Sequence, residues 1–104
     1  MALYLLNKQE LMVEGFEIVS YLMGEMMYCE LRTKEEWVTH YANAVNEIGA
    51  KDFMEYIEMV AKDLVAVAEE VEEVKDDGTL YNLVLSVLIN EAMKLAKNKA
   101  LAVA

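Results

Sequence analysis

The chain has no proline, one cysteine, one histidine, one tryptophan and only four glycines in 104 residues. Without proline, nothing in the sequence forbids long helices, and every break has to come from glycine or from capping side chains. A lone cysteine, Cys29, forms neither an internal disulfide nor a cysteine metal site, which favours an intracellular setting. Arg32 is the only arginine, and scattered lysines do not supply the basic stripe that direct nucleic-acid binding needs. Long apolar runs are missing as well. The longest uncharged stretch, residues 78–90, includes two asparagines and falls short of the ~18 residues that suggest a membrane span. Residues 1–6 (MALYLL) carry no basic flank and no small-residue cleavage site follows, so they do not read as a secretory signal, and a cytoplasmic location is expected.

What the chain does have is apolar content and acid. Hydrophobic residues make up 57%, above the roughly 45–50% usual for a soluble domain, so apolar surface is expected to remain for a partner. The net charge of −10 is uneven: residues 78–104 hold Glu91 against Lys94, Lys97 and Lys99, and the excess acid lies before them. The length fits a single domain, residues 1–104.

The most regular stretch is residues 52–77. Phe53, Ile57, Val60, Leu64, Val67, Val71 and Val74 form an apolar seam in a seven-residue repeat, opposite a face rich in Glu. Asp52 followed by Glu55 reads as its N-terminal cap. Before it, Asn7 with Glu10, and Leu6 placed to pack on Leu11, predict a helix over 8–31. That helix is apolar around most of its circumference, and Ser20 and Gly24, four apart, suit the close approach of another backbone. Thr33 with Glu36 is a capping box opening a short helix over 34–48, with Gly49 as its left-handed cap. Asp77 and Gly78 stop the third helix, predicted over 53–76, and Thr79 caps a greasy fourth over 80–100. No segment alternates with period two. The expected fold is therefore all-α: a four-helix up-and-down bundle, helix 2 the short member, associating as a homodimer. Phe16, Ser20, Met23, Gly24, Met27, Leu85, Leu88 and Ile89 are the candidate interface residues.

Chemistry is harder to place. His40 has Glu36 one turn before it, but a metal site needs three or four ligands and there is no second histidine. Carboxylates around Cys29 disfavour a reactive thiol. Six of the eight methionines, Met12, Met23, Met26, Met27, Met54 and, outside the main seam, Met59, suit either gap-filling or an adaptable binding surface. Neither a cofactor nor a metal is expected.

The acids Glu69, Glu70, Glu72, Glu73, Asp76 and Asp77 form the candidate partner-binding cluster. Within it, residues 69–73 fit E-E-x-x-E, which resembles part of the motif of the all-α nucleotide pyrophosphohydrolases of the MazG type. The resemblance covers five residues and implies Mg²⁺-dependent cleavage of nucleoside triphosphates, with a second E-x-x-D motif on a later helix. Here the only candidate is Glu91-Ala92-Met93-Lys94, where Lys stands in place of the metal-binding Asp.

The favoured reading is a protein-interaction module whose acidic face occupies a basic surface, in its sharper form an inhibitor of phage or mobile-element type that imitates nucleic acid against a nucleic-acid-binding enzyme. A structural subunit of a larger homo- or hetero-oligomer and the MazG-like hydrolase are the alternatives. No direct nucleic-acid or membrane binding is expected.

Overall fold

A computed structural model describes residues 15–26, 33–73 and 75–103, with side chains as far as Asn98. The regular structure among these residues is helix alone, in three elements: α1 (Gly15–Glu25), α2 (Lys34–Glu72) and α3 (Thr79–Val103). The cap at Asn7, Met27 and Cys29 lie outside the described residues.

α1 is described over Gly15–Glu25, and the parts of the expected helix at 8–14 and 27–31 lie outside the described residues; at its last described turn Met26 N–H is shared between the carbonyls of Leu22 (3.2 Å) and Met23 (3.3 Å). α2 opens as expected. Thr33 Oγ1 accepts from Glu36 N–H (3.2 Å) while Glu36 Oε1 accepts from Thr33 N–H (3.1 Å), a reciprocal capping box.

The expected separation of helices 2 and 3 is corrected. No loop and no Asp52 cap divides them: α2 runs through as one element of 39 residues, with Gly49 alone non-helical at φ 84°, ψ 161°. That region is open essentially only to glycine. The break is sharp. The rings of Tyr41 and Tyr56 lie 5.9 Å apart between centroids, whereas fifteen residues of straight helix would separate them by about 22 Å. A straight 39-residue helix would also measure about 58 Å, longer than the 46 Å maximum extent of the molecule. α2 is thus folded back at Gly49 into a first arm, residues 34–48, and a second arm, residues 50–72.

The second arm buries Phe53, Ile57, Val60 and Leu64 as the seam predicts, but then departs from it. Val67 is half-buried and Val71 is 47% exposed, while Ala61, Val65 and Ala68 are buried in their place. A seven-residue repeat drifts about 20° per heptad around a straight helix, so the late members of the seam rotate out of the core and their neighbours rotate in. α1 contributes Ile18, Val19, Leu22 and Met23 to the same core, and α3 lays down the i, i+4 stripe Leu80, Val84, Leu88, Ala92 and Ala96. At Gly15 an added Cβ would lie 2.9 Å from Val87 Cγ2, so α3 packs closely on the start of α1 there.

Candidate functional site

The acidic stretch closes the connection between α2 and α3, and the fold divides its members. Glu73 ends α2 in the left-handed conformation (φ 55°, ψ 35°), its N–H bonded to the Glu69 carbonyl, ahead of Gly78, the glycine expected to stop the helix. The chain then turns so that the Glu69 carboxylate accepts from Asp76 N–H at 2.6 Å. Asp76 in turn receives Leu80 N–H on Oδ1 and Tyr81 N–H on Oδ2, both at 3.1 Å, and Asp77 Oδ1 receives Thr79 N–H at 3.0 Å. With Asn82 N–H bonded to the Gly78 carbonyl, the first-turn amides of α3 are satisfied by two aspartates, and the cap predicted at Thr79 falls inside the helix. Hydrogen bonds from Thr79 hold the exposed Asp77 carboxyl below the usual carboxylate range.

Glu69, Asp76 and Asp77 are therefore turn-closing residues. Glu72 is half-buried, and the exposed members of the predicted cluster other than the turn-closing Asp77 are Glu70 and Glu73. Exposed acid is found instead one to four turns earlier on the second arm, at Glu55, Glu58 and Asp63, with Lys62 as the one base among them. In their midst Met59 is 65% exposed, the most exposed large hydrophobic among the described residues, and Ala66 is exposed two turns on. At 100° per residue, Glu55, Met59, Asp63, Ala66, Glu70 and Glu73 share the solvent face of the arm. The signal for it was in the sequence: Met59 interrupts an otherwise polar face.

Several candidate interface residues have partners inside the chain. Met23 and Leu88 are fully buried in its own core and present no surface to a second copy. Ser20 Oγ accepts from Trp37 Nε1–H at 2.9 Å, a contact across seventeen residues that pattern reading misses. Phe16 is 37% exposed, with Lys34 Nζ 3.9 Å from its ring centroid, a cation–π contact. Leu85, Ile89 and Gly24 are half-buried.

Among the described residues no group of three or more His, Cys, Asp or Glu side chains is arranged to hold a metal. His40 is exposed, its ring edge-on to that of Tyr41 at 4.9 Å. Glu91 lies about 18 Å along α3 from its start at the acidic turn, so the two segments of the hydrolase-like pattern do not converge. Glu91 lines a groove of about 380 Å³ between the first arm and α3, floored by Val38 and Leu95. Lys34, Lys94 and Glu35 rim it with both signs of charge, and no buried polar side chain among the described residues points to a ligand there. No described helix is long and apolar enough to cross a membrane. No family model matches the chain, and no curated protein or solved structure matches it.

Proposed function

We propose that the chain is a protein-binding module that docks the solvent face of the second arm of α2 onto a partner with an apolar pocket rimmed by Lys and Arg. The observation that carries this reading is Met59, 65% exposed on a helix face whose other members are mainly carboxylates. An exposed methionine adapts to varied pockets, and flanking acids steer a basic rim toward it. The rigid arm holds anchor and acids in one register, so little ordering has to accompany binding.

Magnitudes separate this reading from imitation of duplex DNA. From Glu55 to Glu73, five exposed acids stand against one base over about 27 Å of helix, about one net negative charge per 7 Å. Duplex DNA presents one per about 1.7 Å. A nucleic-acid-binding enzyme remains an eligible partner for its basic surface, but the apolar anchor, not matched charge density, carries the contact.

The test is capture from a lysate on immobilised protein at ~50 and ~500 mM salt, with Met59→Glu and a Glu55→Lys/Asp63→Lys/Glu70→Lys variant alongside. A protein retained by the wild type at low salt, lost by both variants and then bound in purified form, supports the reading. Equal retention by wild type and variants sinks it. A second reading, a subunit role in a homo- or hetero-oligomer, is favoured by the half-buried Leu85 and Ile89 beside the α3 core stripe. Light scattering after size exclusion of a Leu85→Glu/Ile89→Glu variant tests it: an unchanged mass counts against an interface there.

A further inference from the structure

We propose that Gly49 is an exchange hinge: α2 straightens, and two copies of the chain swap α1 and the first arm to form an intertwined dimer.

Four observations converge on this hinge. The break is a single residue with helix on both sides, and no loop of independent structure has to be dismantled to remove it. Residues 46–52 are all exposed, so the corner itself is held by nothing in the core. A Cβ built on Gly49 meets no atom within 4 Å, so packing does not enforce the bend; only the positive φ marks it. Ile48 is 44% exposed at the corner, an apolar residue the bent chain leaves without cover.

What holds the two arms together is the packing between them, and all of it can be remade between copies. α1 travels with the first arm, tied to it by the Trp37–Ser20 hydrogen bond and the Lys34–Phe16 contact. The contacts that would pass from one chain to two are the Tyr41–Tyr56 rings, the approach of Gly15 to Val87, and the lining of the groove between Val38 and Leu95. None depends on chain connectivity. Straightening adds the helical bonds that the bend forfeits, because the first-turn amides after a break have no carbonyl four residues back. It also brings Ile48 of the two copies near the dimer axis. Opposing these gains is the entropy of association, which makes the balance depend on concentration. A short hinge between two packed elements is a setting in which exchange of an identical element between protomers occurs.

Gly49→Ala tests the hinge directly. Alanine is strained at the observed φ and ψ and well suited to straight helix, so each hinge shifts by about tenfold or more, and the dimerisation constant, with two hinges, by about a hundredfold. Light scattering after size exclusion from micromolar to millimolar concentration reads the mass, and amide hydrogen exchange reads residues 50–52. The expected result is a Gly49→Ala dimer in which those amides exchange more slowly than in the wild-type monomer. A Gly49→Ala chain that stays a folded monomer throughout, or a dimer whose 50–52 amides exchange as fast as the monomer's, overturns the proposal. Inserting Gly-Ser-Gly-Ser after Gly49 frees the bend, and this variant is expected to be monomeric where Gly49→Ala is dimeric; dimerisation of equal strength also overturns it. Should Gly49→Ala fail to fold, wild type refolded from denaturant at millimolar concentration provides the readout: a dimer with slowed 50–52 exchange supports the hinge, and monomer alone refutes it.

Discussion

Ser20→Ala isolates one contact on which the α1–α2 packing depends. Trp37 is fully buried, and its indole N–H has Ser20 Oγ as acceptor at 2.9 Å. Removing the hydroxyl takes away the acceptor of a buried donor, a loss of about 1–3 kcal/mol. Alanine recovers about 0.5 kcal/mol through its better helix propensity, so the net cost is about 0.5–2.5 kcal/mol. For a domain of this size, that corresponds to a melting temperature lower by roughly 2–12 °C.

Trp37 is the only tryptophan, so a urea titration followed by its fluorescence reports the transition without labelling. The midpoint should fall while the slope stays constant, the signature of lost stability without a change in exposed surface. A double-mutant cycle gives the sharper test. In a Trp37→Phe background, followed by circular dichroism, there is no N–H to strand, and Ser20→Ala should cost less than about 0.5 kcal/mol. If Ser20→Ala lies within about 0.3 kcal/mol of wild type, or costs the same in both backgrounds, the hydrogen bond is not what orders α1 on α2.

Three further outcomes follow from the geometry. Asp76→Ala removes the acceptor of two first-turn amides of α3 and should lower stability by about 1–2 kcal/mol, with faster hydrogen exchange confined at first to Leu80 and Tyr81; Asp76→Asn, which keeps one carbonyl oxygen, should lose less. The Asp77 carboxyl, observed by NMR, should titrate below the free-aspartate value of about 3.9, because Thr79 favours its charged form. Its folded pKa is depressed, so its contribution is present above the unfolded value and is lost as pH falls through the folded one; Thr79→Val should move the titration up toward the free value. Gly15→Ala places a methyl 2.9 Å from Val87 Cγ2, and the stiff β-branched side chain cannot swing away freely, so a loss of about 1 kcal/mol is expected in thermal melts despite the gain in helix propensity, with partial recovery in Gly15→Ala/Val87→Ala.

Local signals were legible in the sequence and long-range ones were not. The Thr33–Glu36 box needs only its own four residues, and the structure forms it as read. The apolar seam marked the buried face correctly through Leu64, then failed at Val71 because a periodic string does not reveal how far the helix rotates against a straight neighbour. Gly49 was visible as a break. That the break would be one residue long, with helix resuming at once, depends on a backbone conformation no pattern specifies. The Ser20–Trp37 pair joins residues seventeen apart, one of them a hydroxyl on a helix read as nearly all apolar. Met23 and Leu88 looked like interface residues because greasy helices suggest a second copy, whereas both are buried in the chain's own core.

The six acids of the connection show why residue type alone misplaces a surface. In sequence they are equivalent; in the fold, Glu69, Asp76 and Asp77 satisfy backbone amides while Glu70 and Glu73 remain exposed. Neutralising the whole cluster would therefore unravel the start of α3 and confuse loss of fold with loss of binding. The face around Met59 permits a cleaner separation, since exposed substitutions away from caps usually shift stability by less than about 0.5 kcal/mol. It lies about 15 Å from Gly49 along the same arm. Because the second arm moves as a rigid rod in the exchange, straightening α2 leaves every residue of that face in register and duplicates it across the dimer axis. A dimer should then bind a partner bearing two basic sites more tightly than a monomer does, by an effective-concentration gain that Gly49→Ala raises and Met59→Glu abolishes. The two variants act on one helix through independent physical causes, so a bivalent partner affected by Met59→Glu alone would show that the docking face works without the hinge.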